Sequence, residues 1–268
     1  MSIGDALRGS GLDAADARAL LRHVIGCDEA YLISSPDRRL GAKEQETFTA
    51  LRARRAAGEP VAYLTGEREF YGLSFRVTPA VLIPRPETEL LVELALERIA
   101  VDAPVNVLDL GTGSGCIAVA IARHRPRARV TATEFAREAL AVARDNAARH
   151  GVMIECVASD WFEALSGTRF EVIVANPPYI PAADPHLNEG DLRREPRHAL
   201  VAGPGGLECI ELIVERAVRY LATGGRLLFE HGYDQAGPAR ALLGAARYRE
   251  VFSRRDLSGI ERVSGGRV

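Results

Sequence analysis

The sequence lacks several features that would place it in a specialised class of proteins. Its four cysteines lie far apart and form no CxxC pair, so neither a zinc site nor a disulfide framework is predicted, and we expect no metal. No run of 18 apolar residues occurs, so no membrane span or membrane partner is expected. Residues 1–10 have no apolar stretch of the kind that a secretory signal peptide needs. These absences favour the cytoplasm.

An excess of positive charge is also missing. The 34 lysines and arginines are balanced by 36 acidic residues, and the formal net charge is -2. We therefore expect no direct nucleic-acid partner, because binding to phosphates depends on a basic surface. A chain of 268 residues, 47% of them hydrophobic, is long enough for one catalytic domain and a smaller accessory one. We expect it to be a monomer.

The spacing of apolar residues predicts two domains. Helical patterns over 14–25 and 43–57, followed by an aromatic stretch around Gly72, predict helices and then a β-hairpin. From Val105 onward predicted strands alternate with helices, among them a helix over 207–221 and a strand over 226–230. This alternation is typical of an α/β, Rossmann-like fold with a mostly parallel sheet and an antiparallel last strand. We predict a small helical N-terminal domain over 1–79, with the hairpin as connector, and a catalytic domain over 80–268.

A glycine-rich turn follows the first strand of the predicted sheet. Glycines allow a tight turn and the close approach of a ligand, and ligands of open α/β sheets sit beyond the carboxyl ends of the strands. Glu134, at the end of the next strand, could accept hydrogen bonds from ribose hydroxyls. The G-x-G-x-G spacing differs from the G-x-G-x-x-G of nicotinamide enzymes and favours the amino-acid end of S-adenosylmethionine. The predicted cofactor residues of the turn are Asp109, Gly111, Thr112, Gly113, Ser114 and Gly115.

Asp160 and Trp161, which follow the third predicted strand, complete the predicted cofactor site. Asp160 could bind the adenine amino group, and Trp161, the only tryptophan, could cover a ring face. The alternative is that Trp161 only fills the core.

The segment Asn176-Pro177-Pro178-Tyr179 follows a short apolar strand. The prolines have no N–H and end the strand ladder, which leaves carbonyl oxygens free, and Asn176 adds a side-chain acceptor. Two acceptors side by side match the two hydrogens of an NH2 group. We predict Asn176, Pro177 and Tyr179 as catalytic residues for methyl transfer to a planar nitrogen, and all four residues as substrate-binding, with Asn176 also near the cofactor. Tyr179 could face the sulfonium charge.

Other segments have less specific interpretations. The stretch from Pro84 to Glu89 is compatible with a helix start and with a loop that closes on the substrate, to which Arg85 and Glu87 would contribute. Glu230-His231 ends a predicted strand, but the proposed chemistry requires no base there.

These motifs together resemble the bacterial release-factor glutamine methyltransferases, over nearly the whole chain. The resemblance rests on the turn at 109–115, on Asp160-Trp161-Phe162, on 176–179, and on the segments 68–72, 83–89 and 256–262. One departure is Glu134, where the family often has Asp, although the longer arm should still reach a ribose.

The resemblance implies a substrate, a cofactor and a docking domain. It implies methyl transfer from S-adenosylmethionine to the side-chain amide nitrogen of the glutamine in the Gly-Gly-Gln loop of class-1 peptide chain release factors, and an N-terminal domain that helps to dock this partner. Ribosomal-protein glutamine methylation and DNA adenine methylation remain alternatives, since an exocyclic amine poses the same chemical problem. A non-catalytic nucleotide-binding regulator would not need Asn176 beside two prolines.

Overall fold

The computed structural model describes residues 1–268, which form two compact units. The first comprises residues 1–67 and 188–194, and the second comprises residues 68–187 and 195–268. The β-hairpin thus falls mostly in the second unit, whereas the sequence predicted it as a connector within 1–79. That predicted domain boundary stays a prediction.

The first unit is a bundle of five helices: α1 (Ile3–Arg8), α2 (Ala14–Ile25), α3 (Glu29–Ser34), α4 (Ala42–Ala56) and α5 (Val61–Thr65). The helix starts at α1 to α3 are capped by Ser2, Asp13 and Asp28, whose side chains accept backbone N–H groups that the helix itself leaves unpaired. Apolar side chains from these helices, including the fully buried Leu20 and Phe48, form one core.

The second unit contains the remaining elements. They are β1 (Glu67–Phe70), β2 (Leu73–Arg76), α6 (Glu89–Arg98), β3 (Asn106–Leu110), α7 (Cys116–His124), β4 (Arg129–Glu134), α8 (Arg137–Arg149), β5 (Ile154–Ala158), β6 (Phe170–Ala175), β7 (Ile180–Pro181), β8 (Val201–Gly203), α9 (Glu208–Ala217), β9 (Leu221–Glu230), α10 (Ala236–Ala245), β10 (Arg249–Arg255) and β11 (Glu261–Arg267). A 3-10 helix, Pro86–Thr88, leads directly into α6.

Seven of these strands form the central sheet, in the order β10-β11-β9-β6-β3-β4-β5. β11 pairs antiparallel with β9 and β10, whereas β9, β6, β3, β4 and β5 are parallel neighbours. Adjacent residues of β6 point to opposite faces: Val172 and Val174 join a core with α6 and α7, and Ile173 and Ala175 join another with α9 and α10. The predicted α/β, Rossmann-like sheet with an antiparallel last strand is confirmed.

The structure tests two local predictions, the hairpin around Gly72 and the helix over 207–221. The hairpin is confirmed. Its turn residues Tyr71 and Gly72 both have positive φ, 53° and 71°, as a two-residue turn of type I′ requires. The helix predicted over 207–221 was wrong at its end, because α9 stops at Ala217 and residues 221–225 already belong to β9. The strand predicted over 226–230 therefore begins earlier than predicted, at Leu221. None of the helices combines the length and the hydropathy needed to cross a lipid bilayer.

Candidate active site

The candidate site lies where the parallel strands end. The turn after β3, Glu134 at the end of β4, Asp160 after β5, Asn176 after β6 and Glu230 at the end of β9 share this edge of the sheet. Successive strands run outward from β3 in both directions, which is the position at which α/β sheets bind ligands. A cavity of about 350 Å³ opens here.

The glycine turn has the geometry that a close ligand contact requires. Gly111, Gly113 and Gly115 all have positive φ, at 67°, 55° and 81°, a region that residues with a Cβ rarely adopt. A Cβ on Gly115 would lie 3.0 Å from that of Ala143 in α8, so glycine also allows α7 and α8 to pack closely. The buried Asn146 donates from Nδ2 to the Ser114 carbonyl at 2.8 Å and supports the turn from behind.

Two acidic side chains flank the turn and play different parts. Asp109 is fully buried and does not line the cavity. Burial raises its pKa to about 7, against the opposing effect of the Thr112 hydroxyl, which donates to Oδ2 at 2.6 Å. Glu134 lines the cavity, and its two carboxylate oxygens accept the N–H groups of Gly113 and Ala136, each at 3.0 Å. These bonds hold the Glu134 carboxylate against the turn.

Aromatic side chains form another part of the cavity wall. Trp161 lines the cavity, with a ring atom 3.4 Å from where a Cβ of Gly111 would lie, so a side chain at that glycine would crowd the indole. Its backbone φ is 48°, an unfavourable value for a bulky residue that is often seen at functional sites. Phe135 and His198 also line the cavity, and their rings meet edge to face with centroids 5.1 Å apart.

The Asn-Pro-Pro-Tyr segment leaves the sheet directly after β6. Asn176 lines the cavity, and its Nδ2 donates to Oγ1 of the buried Thr88 at 3.1 Å. The Tyr179 hydroxyl donates to Oε1 of the buried Glu230 at 3.2 Å. The Tyr179 carbonyl in turn accepts a hydrogen bond from Nε2 of Gln235 at 3.0 Å. Hydrogen bonds of the Asn176 amide, the Tyr179 hydroxyl and the Tyr179 carbonyl therefore fix the segment in place.

Burial raises the pKa of both members of the hydrogen-bonded pair Tyr179–Glu230. It raises the pKa of Tyr179, and the negative charges of Glu230 and Glu87 raise it further. It also raises the pKa of Glu230 to about 7, while the hydroxyls of Thr88 and Tyr179 lower it. The phenol of Tyr179 therefore stays protonated at neutral pH and acts as a donor to Glu230.

The segment before α6 reaches the same cavity. Arg85 lines it and forms an ion pair with the buried Glu195, whose other oxygen accepts the N–H of Ile83 at 3.0 Å. Glu87 does not line the cavity, so its predicted contact with substrate stays a prediction. Pro178 is in the lining, whereas Pro177 and Tyr179 are not, so the predicted contacts of these two residues with substrate stay predictions.

The structure thus brings the predicted residues to one edge and adds others. Along the cavity lie Gly111, Thr112, Gly113, Ser114, Glu134, Asp160, Trp161, Asn176, Pro178 and Arg85. Asp109 and Gly115 are not in its lining, so their predicted contact with the cofactor stays a prediction. Sequence reasoning missed Thr88, Phe135, His198, Glu195 and Gln235. Phe135 could have been found, since it directly follows Glu134 at the end of a strand, but the others are distant in sequence from the elements that they contact.

The cavity lining has the chemistry that S-adenosylmethionine requires. Gly111 leaves the space that a Cβ would fill beside Trp161, the Glu134 carboxylate can accept ribose hydroxyls, and Phe135 and Trp161 offer apolar faces to an adenine. The residues present therefore fit this cofactor, although which of them bind it stays a prediction.

Comparison with known proteins places the chain in a family. Residues 4–66 match the family model of the PrmC N-terminal domain, and residues 87–189 match that of the methyltransferase small domain. A solved methyltransferase structure from Pyrococcus furiosus, 18% identical, superposes with a TM-score of 0.56 over 82% of this chain and 98% of that one. At this identity the likeness concerns the fold alone.

The similarity to curated relatives is much higher. The chain is 56% identical to the release factor glutamine methyltransferase of Burkholderia pseudomallei, over 98% of this chain and 94% of the relative. It is 51% identical to the protein of the same name from Bordetella pertussis, over 98% of this chain and 97% of the relative. The resemblance stated from the sequence is confirmed, and the chain belongs to the release factor glutamine methyltransferase family.

Proposed function

We propose that this chain transfers the methyl group of S-adenosylmethionine to the side-chain amide nitrogen of the glutamine in the Gly-Gly-Gln loop of class-1 peptide chain release factors. The observation that carries the proposal is the position of Asn176, which lies in the wall of the cavity directly after β6. Family membership supports the choice of substrate.

The cofactor would lie along the ends of β3, β4 and β5. In this proposal the turn from Asp109 to Gly115 holds the amino-acid end, Glu134 accepts from the ribose, and Asp160 and Trp161 contact the adenine. Bound in this way, the cofactor would supply an electrophilic methyl group on a sulfonium. Everything else must come from how the protein orients the nitrogen that attacks it.

An amide nitrogen is a poor nucleophile because its lone pair is conjugated with the carbonyl. The rotation barrier of about 18–20 kcal/mol gives the scale of this conjugation. Oδ1 of Asn176 and the carbonyl oxygen of Pro177 would each accept one hydrogen of the NH2 group, so the lone pair is aimed out of the amide plane at the methyl. Good alignment of two reactants can lower the barrier by about 7–11 kcal/mol. A strong base is not required, because the proton leaves readily once nitrogen carries the methyl.

The remaining features concern the partner. Arg85, held by Glu195 at the cavity wall, and Glu87 would contact the loop of the release factor, and the helical unit would help to dock its body. We propose that the protein acts as a monomer, without direct contact to nucleic acid. A release factor substrate would place it in the cytoplasm, where translation takes place.

A panel of substrates tests this proposal. Purified protein is incubated with methyl-labelled S-adenosylmethionine and, separately, with a class-1 release factor, the same factor with the loop glutamine replaced by glutamate, a ribosomal protein mixture, and adenine-containing DNA. We expect label on the first substrate alone. Label on ribosomal protein or DNA, with none on the release factor, would overturn the proposed substrate.

A further inference from the structure

The carboxamide of Asn176 has two ends of similar shape and opposite hydrogen-bonding character. Oδ1 only accepts and Nδ2 only donates. A substrate NH2 group has two hydrogens to donate, so a carboxamide turned the wrong way would set donor against donor. The proposed function therefore depends on what holds the Asn176 amide in one of its two orientations.

Thr88 contacts the nitrogen end of this amide. Its Oγ1 accepts from Nδ2 of Asn176 at 3.1 Å, and the side chain is almost completely buried beside the cavity. A threonine hydroxyl, however, can both donate and accept. Alone it could equally donate to Oδ1 of a flipped amide, so the contact with Asn176 does not by itself select an orientation.

Glu230 removes this ambiguity. Its carboxylate is fully buried at the end of β9, and its Oε2 has no hydrogen-bond partner. The neighbouring Thr88 hydroxyl lowers the pKa of this carboxylate. An ionised carboxylate accepts and cannot donate, so the unpaired Oε2 is an acceptor for the single hydrogen of Thr88, which would leave only lone pairs for Asn176.

We propose that Thr88 is a positioning residue for methyl transfer and that Glu230 fixes the direction in which the Thr88 hydroxyl donates its hydrogen. Glu230 takes the hydroxyl hydrogen of Thr88, Thr88 accepts from Nδ2 of Asn176, and Oδ1 of Asn176 is left to face the substrate nitrogen. This inference rests on the proposed function, since it explains how the acceptor for an NH2 group is oriented.

The same carboxylate holds the second end of the segment. Its Oε1 accepts from the Tyr179 hydroxyl at 3.2 Å, so one buried acceptor orients both polar side chains of 176–179. The charged groups around it act in opposite directions: Glu87 raises the pKa of Glu230 and Arg262 lowers it. Burial is the largest influence and raises that pKa to about 7.

A pH dependence follows with a definite sign. Above about pH 7 Glu230 is ionised and accepts from Thr88. Below it, the protonated carboxyl can itself donate to Thr88, whose hydroxyl is then free to donate to Asn176 and favour the flipped amide. The rate of methyl transfer should therefore fall as the pH drops through this range.

The test compares isosteric variants in the full chain, with the release factor as substrate. Thr88→Val removes the hydroxyl at nearly constant volume, and Thr88→Ser restores it. Thr131→Val is the matched control, because Thr131 is also a buried threonine whose hydroxyl donates to a glutamate, Glu155, at 3.1 Å, but away from the cavity. Glu230→Gln tests whether the Glu230 carboxylate fixes the direction of the Thr88 hydroxyl hydrogen.

We expect Thr88→Val to lower kcat by about 10-fold to 100-fold, the range expected from misplacing a reacting group, with an unchanged Kd for S-adenosylmethionine. Thr88→Ser should recover most of the rate, and Thr131→Val should keep it. Glu230→Gln should have a low rate that no longer rises with pH near neutrality.

Three results would overturn the inference: a Thr88→Val rate equal to wild type, a Thr131→Val loss as large as that of Thr88→Val, or an unchanged pH profile in Glu230→Gln. An inactive wild-type protein would instead refute the proposed function. The two failures are thus distinguishable, because the variants are interpreted only against a wild type that methylates the release factor.

Discussion

Replacing Asn176 by alanine removes the acceptor on which the proposed chemistry depends and little else. The side chain donates a hydrogen bond to Thr88, so its loss should reduce the free energy of unfolding by only about 1 kcal/mol. Its effect on the rate should be larger, because one preorganised partner of a transition state contributes about 2.7–4 kcal/mol, or about 100-fold to 1000-fold in kcat.

Single-turnover methylation of the release factor and calorimetric binding of S-adenosylmethionine separate these effects. We expect the rate of Asn176→Ala to fall by that factor, while the cofactor Kd changes by less than about threefold, equivalent to about 0.7 kcal/mol. Asn188→Ala, at an exposed asparagine outside the cavity, is the control and should keep full activity. A rate for Asn176→Ala within threefold of wild type, about 0.7 kcal/mol, would refute the reasoning.

Three further predictions concern the cofactor side of the cavity. Gly115→Ala should lower the free energy of unfolding by about 2–4 kcal/mol, because a Cβ at φ 81° is strained and would crowd Ala143. Gly151→Ala, at φ 64° with open space around it, should cost only about 1–2 kcal/mol; equal losses in chemical denaturation would contradict the packing argument. Trp161→Ala should weaken S-adenosylmethionine binding about fivefold to tenfold through loss of an aromatic contact, and an unchanged calorimetric Kd would show that the indole only fills the core. Because burial raises the pKa of Asp109 to about 7, the folded protein retains a proton that the unfolded chain releases near pH 4, so stability should fall between about pH 4 and 7. Asp109→Asn should flatten this slope in unfolding titrations, and an identical slope would contradict the assignment.

The local part of the site was predictable from the sequence. The glycine turn, Glu134 and the Asn-Pro-Pro-Tyr segment each follow an apolar strand, and the carboxyl ends of parallel strands meet at one edge. Their residue types indicated the chemistry, and their places directly after strands indicated the position. The hairpin was predictable for a similar reason, since aromatic and aliphatic residues flank Gly72.

The support behind the site was not predictable in the same way. Thr88 and Asn176 are 88 positions apart, and their contact depends on how the segment before α6 packs over the end of β6. Glu230 had no assigned role because its strand end carried no recognisable motif. Only the fold shows that it lies buried beneath Tyr179. A pattern indicates which residues can react, whereas the three-dimensional packing decides which residues orient them.

The most direct test of the account is the identity of the bond that the protein forms. The release factor is prepared with 15N-labelled glutamine and methylated with S-adenosylmethionine that carries a 13C methyl group. A one-bond 13C–15N coupling in the nuclear magnetic resonance spectrum, located by mass spectrometry to the loop glutamine, is the result that we predict. A methyl group bonded to oxygen, to carbon or to a nitrogen outside that side chain would contradict the claim that Asn176 and Pro177 hold a primary amide for methylation.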